Sequence, residues 1–431
     1  MSTEAQRGGS GSARKKADRT REELLRTAAR MFRDRGYTAS TLRDIAAASG
    51  MKAGSVYYHF ASKDEILVEI LDQGLREIYD GVRAVIDSDA GVDYRAKIAA
   101  AIHAHLSLLL AHSEYTSANI RNFGQLPEVI RERHRPLRRL YAKLWDTLLS
   151  DAQQAGQLRE DIKIVPLRRF LLGALNWTVE WFNVERHSVD ALADRCASLV
   201  LDGMGTGRTS GEPLQPVSQK SERNNIQNIR TKSDRTRQEI LRAAAILFRN
   251  RGYAASTLRD IAAAAGMKAG SIYYHFDSKD EILDEVLDQG VREVYGGVRA
   301  VIESDEGGVD YRAKIAAAIH THLTLLLAHS EFTSANIRIY GQLPENIRER
   351  HRPLRRAYTE LWQTLLQDAQ QAGQLREDIK IVPMRQFLLG ALNWTVEWFD
   401  AERHSVDELA RRCTRLFFEG ICVKPNLGEG R

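Results

Sequence analysis

From Gly50 to Lys63 the chain reads Gly-Met-Lys-Ala-Gly-Ser-Val-Tyr-Tyr-His-Phe-Ala-Ser-Lys, and the run returns from Gly266 to Lys279 with Ile for Val and Asp for Ala. Hydroxyls, an imidazole and an ammonium group with almost no acid among them are groups that bond base edges and phosphates. On a helix, residues three, four and seven apart share a side. Ala53, Val56 and Phe60 then point inward, while Lys52, Gly54, Ser55, Tyr58 and His59 point outward, with Tyr57 on the border. A helix that already buries Val56 and Phe60 cannot also bury Tyr57, Tyr58 and His59, which disfavours a purely packed helix. Gly54 permits close backbone approach, and Thr41 and Lys63 sit at neighbouring helix starts, where free N–H groups and side-chain donors can grip phosphates.

Two further segments carry chemistry. Asn176-Trp177-Thr178-Val179-Glu180-Trp181-Phe182, repeated at 393–399, sets polar Asn and Glu into an apolar helix with two indoles. Leu126-Pro127-Glu128 is followed by Arg131, Arg133, His134, Arg135, Arg138 and Arg139, a basic patch repeated at 343–356. Each has a plain structural reading, an interface cluster for the first and a solvated helix face for the second. Read together, they suit an apolar ligand with an anionic head, with Arg138, Asn176, Trp177, Glu180 and Trp181, and Arg355, Asn393, Trp394, Glu397 and Trp398, as ligand-binding candidates. No catalytic constellation, cofactor motif or metal-ligand spacing is found: His103 and His105 are two apart, on different sides of a helix. Cys196 and Cys413 lie in apolar stripes and read as packing; with Cys422 they form neither a disulfide framework nor a zinc knuckle.

The elements that position these residues are helices. Apolar residues fall at three- and four-residue spacing throughout, so the fold class is all-α. Leu24, Leu25, Ala28 and Phe32 stripe a helix that stops at Gly36; Ser40 or Thr41 caps a second, with Leu42, Ile45 and Ala46 buried; Gly50 turns the chain into Ala53–Phe60. Two short helices around a glycine turn form a helix-turn-helix. The whole arrangement is written twice. Residues 18–89 align with 234–305 with 16 differences in 72 positions, and 93–203 with 310–420 with 22 in 111, so the 431 residues are two complete copies. The reading gives a basic, Gly/Ser-rich disordered arm (1–17), a helix-turn-helix DNA-binding domain (18–62), a larger helical domain (63–203), a linker (204–233), a second DNA-binding domain (234–278), a second larger helical domain (279–421) and a tail (422–431). The linker spans ~100 Å at full stretch and about 30 Å as a coil, enough for the copies to pack on each other. The net charge is only +5, so a nucleic-acid reading rests on where the basic residues sit. No run reaches a membrane span and no signal peptide is apparent, pointing to the cytoplasm.

Thr41-Leu42-Arg43-Asp44-Ile45-Ala46, Gly50–Phe60 and Ser62-Lys63-Asp64-Glu65, with their counterparts at 257–262, 266–276 and 278–281, resemble the DNA-binding domain of TetR/AcrR-type transcriptional regulators. The resemblance implies, for each copy, a nine-helix fold: a three-helix DNA-binding domain and a six-helix domain for ligand and dimer contacts. Carried over by position, the DNA contacts fall on Thr41, Lys52, Ala53, Gly54, Tyr57, Tyr58, His59 and Lys63, with Ser55 added from helical phase. The second copy supplies Thr257, Lys268, Ala269, Gly270, Ser271, Tyr273, Tyr274, His275 and Lys279. Family members bind palindromes as dimers, so this chain is expected to be an intrachain pseudo-dimer on an inverted-repeat operator in double-stranded DNA, paired through 167–182 and 188–203 and their repeats, with higher homo-oligomers left open. Val200/Phe417, Asp194/Arg411 and Lys143/Glu360 are candidates for selective pairing. Leu-Pro-Glu, the arginines and Asn-Trp resemble the regulators of lipid and steroid breakdown, which implies an acyl-CoA thioester as small-molecule effector that releases a repressor. The alternatives are an acyl-CoA-binding enzyme and a nonspecific architectural DNA-binding protein.

Overall fold

The computed structural model describes residues 7–37, 40–88, 93–112, 115, 126, 128–203, 232–304, 310–329 and 331–420, and every regular element among them is helical. In the first copy the α-helices are α1 (Arg7–Arg35), α2 (Leu42–Ala48), α3 (Ala53–His59), α4 (Lys63–Ser88), α5 (Tyr94–Ser107), α6 (Glu128–Gln154), α7 (Ile164–Trp177) and α8 (Val189–Asp202). The second copy has α9 (Lys232–Arg251), α10 (Leu258–Ala264), a 3-10 helix (Ala269–Tyr274), α11 (Lys279–Glu303), α12 (Tyr311–Thr324), α13 (Glu331–Ile339), α14 (Glu345–Gln371), α15 (Ile381–Trp394) and α16 (Val406–Glu419). No helix among the described residues is long and apolar enough to cross a membrane.

Two sequence expectations shift. The arm expected to be disordered is helical from Arg7, because a helix nucleated by the packed residues Leu24–Phe32 propagates outward at little cost per residue. Residues 1–6, most of the linker (204–231) and the tail lie outside the described residues. The DNA-binding domain also does not end at residue 62. Ile66, Leu67, Ile70 and Leu71 of α4 pack in its core with Leu24, Phe32, Ile45, Val56 and Phe60, whereas Leu75, Ile78 and Val82 belong to the core of the larger domain. One amphipathic helix thus serves both cores, and the residues equivalent to these in α11 do the same.

The larger domains of the two copies share a single core. Helix α7 packs along α15, and α8 contacts α15 and α16. The contacts are reciprocal, as a two-fold interface requires: Gly173 lies against Trp394 and Gly390 against Trp177. Likewise Arg159 Nη1 donates to Gly420 O (3.1 Å) and Arg376 Nη1 to Gly203 O (2.9 Å). Of the three exchanges considered for selective pairing, only Val200/Phe417 sits in this seam, where the Phe417 ring meets Phe170 edge-on at 5.0 Å. Asp194 bonds His103 of its own copy, and Glu360 pairs with Arg356 on an exposed face.

Candidate nucleic-acid interface and effector cavities

Local chemistry builds the reading head. Thr41 caps α2 in a reciprocal box: Asp44 N–H donates to Thr41 Oγ1 (3.2 Å) while Thr41 N–H donates to Asp44 Oδ2 (3.0 Å). Thr257 and Asp260 repeat it, and these bonds hold the Asp260 carboxyl below its usual range. Gly50 and Gly266 turn the chain with φ of +66° and +70°, a conformation that favours glycine. The next helical turn buries Val56 and Phe60 completely and leaves Tyr57 and Tyr58 59 % and 83 % exposed; Tyr273 and Tyr274 are 60 % and 89 % exposed. Lys52, Gly54, Ser55, Lys268, Ala269 and Gly270 are exposed, Ala53, Ser271, His59 and His275 half-buried. A Cβ on Gly54 or Gly270 would meet nothing within 4 Å. An unpaired, exposed tyrosine pair on a short helix is a costly surface for a protein to keep without a partner.

Lys63 stands apart from this exposed set. Its Nζ donates to Tyr37 O and Ser40 O, both at 2.8 Å, and lies 4.0 Å from the centre of the Tyr37 ring. Lys279 does the same with Tyr253 and Ser256. Burial lowers the pKa of both ammonium groups. Each lysine therefore pins the loop that precedes the helix-turn-helix and keeps one N–H for an outside acceptor.

The ten ligand candidates gather into two cavities, sorted across the copies. The first, of about 630 Å³, is lined by Arg138 and Asn176 of copy one and by Trp394, Glu397 and Trp398 of copy two. The second, of about 250 Å³, is lined by Arg355 and Asn393 of copy two and by Trp177, Glu180 and Trp181 of copy one. Desolvation pulls Arg138 down to about 10, opposed by Glu397 across the seam; Arg355 is lowered likewise, opposed by Tyr340 and Glu180. Sequence reasoning left out Arg168, Arg169, Arg338 and Arg385, which also line the cavities, although their positive charge on otherwise apolar helices was a usable signal. It also gave His105 no functional role and did not consider His322. Each is buried against a tyrosine hydroxyl, Tyr141 at 2.7 Å and Tyr358 at 2.6 Å, and burial pushes each imidazole down to about 4, so both are neutral at pH 7. Cys196 and Cys413 are buried, with thiols pushed up to about 12 by burial, as packing residues would be. No cluster of metal-ligating side chains occurs among the described residues.

Comparison with known proteins agrees with this division. The family described as bacterial regulatory proteins, tetR family, matches residues 24–70 and 240–286, and the tetracyclin repressor-like C-terminal domain matches 91–204 and 308–421. The HTH-type transcriptional repressor KstR2 of Rhodococcus jostii (strain RHA1) is 31% identical over 196 residues, which cover 44% of this chain and 93% of the relative. The fatty acid metabolism regulator protein of Bacillus subtilis (strain 168) is 22% identical over 184 residues, 42% of this chain and 94% of that protein. Among solved structures, the ketosteroid transcriptional regulator KstR2 of Mycobacterium tuberculosis is 26% identical, covers 40% of this chain and 89% of its own, and has a TM-score of 0.37. Nearly a whole relative thus fits in less than half of this chain. This chain, with two DNA-binding and two C-terminal domains in tandem, belongs to the TetR family of DNA-binding transcriptional regulators, which are not enzymes.

Proposed function

We propose that this chain is a ligand-released, sequence-specific repressor whose two halves act as one pseudo-dimer on an inverted-repeat operator. The observation that carries the reading is that two reading heads, differing along the recognition helix only at the buried Val56/Ile272, are joined through one reciprocal interface within a single chain. Two equal heads related by a near two-fold favour two equal half-sites in opposite orientation. Thr41, Lys52, Ala53, Gly54, Ser55, Tyr57, Tyr58 and His59 and their counterparts meet DNA, and Lys63 and Lys279 offer their remaining N–H to phosphate.

The effector is a small molecule with an apolar body and an anionic head, and the acyl-CoA thioester class fits the larger cavity: arginines face the anionic end and indoles the apolar one. Helix α13 links that event to DNA. Its Arg338 lines the first cavity and its Thr333 and Asn336 the second, while Phe332, Ala335 and Ile339 of the same helix sit in the core of the second DNA-binding domain. A ligand that displaces α13 therefore moves the reading head, and operator affinity falls by the ligand's preference for the displaced state.

Selection of bound duplexes from random DNA tests the reading. The expected product is an inverted repeat with half-sites about 10 base pairs, or a multiple, apart, from which a long-chain acyl-CoA releases the protein. Enrichment of a lone half-site, or equal binding to scrambled DNA, would overturn it.

A further inference from the structure

The cavities differ in their charged lining: Arg169, which stands over Trp398 in the first, is Gln386 in the second, and the acid that pairs with Arg168 has no counterpart beside Arg385. In copy one, Arg168 Nε donates to Asp146 Oδ1 at 2.7 Å, an ion pair largely screened from solvent. In copy two the aspartate is replaced by Gln363, so Arg385, only 9 % exposed, bonds the neutral Gln363 Oε1 (2.9 Å) and Thr359 O (3.1 Å). Its Nε finds no hydrogen-bond partner among the described residues. The neighbouring polar group follows the same division. His105 Nε2 contacts Asn176 Oδ1 at 3.2 Å, whereas in copy two His322 and Asn393 still lie together but His322 Nε2 and Asn393 Oδ1, both buried, make no hydrogen bond of ordinary geometry. Arg385, His322 and Asn393 line the same cavity. Arg385 makes no ion pair among the described residues, with Glu360 attracting it only from a distance, so an anion that joins this buried guanidinium stabilises it. With Tyr358 donating to His322 Nδ1, the Nε2–H becomes a second donor into that cavity.

We propose that the second-copy cavity holds a carboxylate site, built on Arg385 and His322, for a small apolar monocarboxylate, and that the first copy has no counterpart because Asp146 already occupies its guanidinium. The Asp146 carboxylate is in effect the ligand's head group supplied by the protein. The second cavity, about 250 Å³, is below the ~300 Å³ that drug-sized ligands need, so a free acid fits where a whole coenzyme A thioester does not. The chain then carries two effector sites of different chemistry. This rests on the reading of the cavities as effector sites, but not on DNA binding.

Calorimetric titration of the full chain with decanoate, in the absence of DNA, tests it. The expected result is one decanoate per chain, with decanol bound at least about tenfold more weakly, since a charge-assisted hydrogen bond is lost. Gln363→Asp recreates the pairing that copy one already folds around and should weaken decanoate at least about tenfold; Asp146→Gln should open a second site. Two equal decanoates per wild-type chain, none at all, or no effect of Gln363→Asp would overturn the inference. Operator binding is scored separately: a chain that binds DNA but no carboxylate sinks this proposal alone, and one that binds carboxylate but no DNA sinks only the regulatory reading.

Discussion

Replacing Gly173 and Gly390 by alanine probes the seam on which the pseudo-dimer depends. A Cβ at 173 would stand 2.7 Å from Trp394 Cδ1 and 2.9 Å from its Cβ and Cγ; at 390 it would stand 2.8–3.0 Å from the same atoms of Trp177. Carbon atoms prefer ~3.5–4.0 Å, and these are the near ends of the indoles, fixed by their own helices. The rings cannot swing clear, so α7 and α15 must separate by up to about 1 Å, which forfeits a quarter to a half of the dispersion energy along the contact. Overpacking of this kind costs about 1–3 kcal/mol per site. The double variant should cost less than twice that, because one displacement relieves both clashes. For a cooperative unit of this size the loss corresponds to roughly 2–4 °C in Tm per kcal/mol. Thermal unfolding followed by circular dichroism, with scattering to follow the separation of the copies, reads both effects. An unchanged Tm together with an unchanged particle shape would refute the argument that the copies are locked through these glycines.

Gly54→Ala and Gly270→Ala offer a contrast: with open space at the Cβ, stability should hold or rise by about 0.4–1 kcal/mol, while operator affinity falls; unchanged affinity would show that the backbone does not approach DNA there. Lys63→Met with Lys279→Met should lower Tm as well as DNA affinity, because each ammonium holds two carbonyls worth about 1 kcal/mol in this half-buried setting; a loss of affinity on all sequences with an unaltered melt would leave only a phosphate role. His105 and His322 have folded pKa values of about 4, below the ordinary 6.5. The unfolded chain therefore binds more protons, and stability should fall as pH drops from about 6.5 toward 4. Melting curves of the His105→Gln, His322→Gln variant should show a shallower fall between pH 6.5 and 5, and an identical slope would contradict the burial argument.

Local features were legible in the sequence because their causes are local. Helical phase alone separates Val56 and Phe60 from Tyr57 and Tyr58, and the box at Thr41 and Asp44 needs only residues three apart. The repeat exposed both copies, and the family resemblance placed the seam on α7 and α8, whose apolar residues fit it. The crosswise cavities were not legible. Asn176 and Trp177 were grouped as one cluster, yet adjacent helical residues point about 100° apart, and here Asn176 lines the cavity of its own copy while Trp177 lines that of the other. Which neighbour a face meets is a tertiary fact. The Asp146/Gln363 exchange reads as a surface substitution until Arg168 and Arg385 are seen behind it.

The mass of the complex formed on the selected operator, measured by analytical ultracentrifugation at micromolar concentration, tests the central claim most directly. The account predicts one chain per duplex, with both half-sites protected by that chain. Two chains per duplex, with first copies paired to first copies, would contradict it.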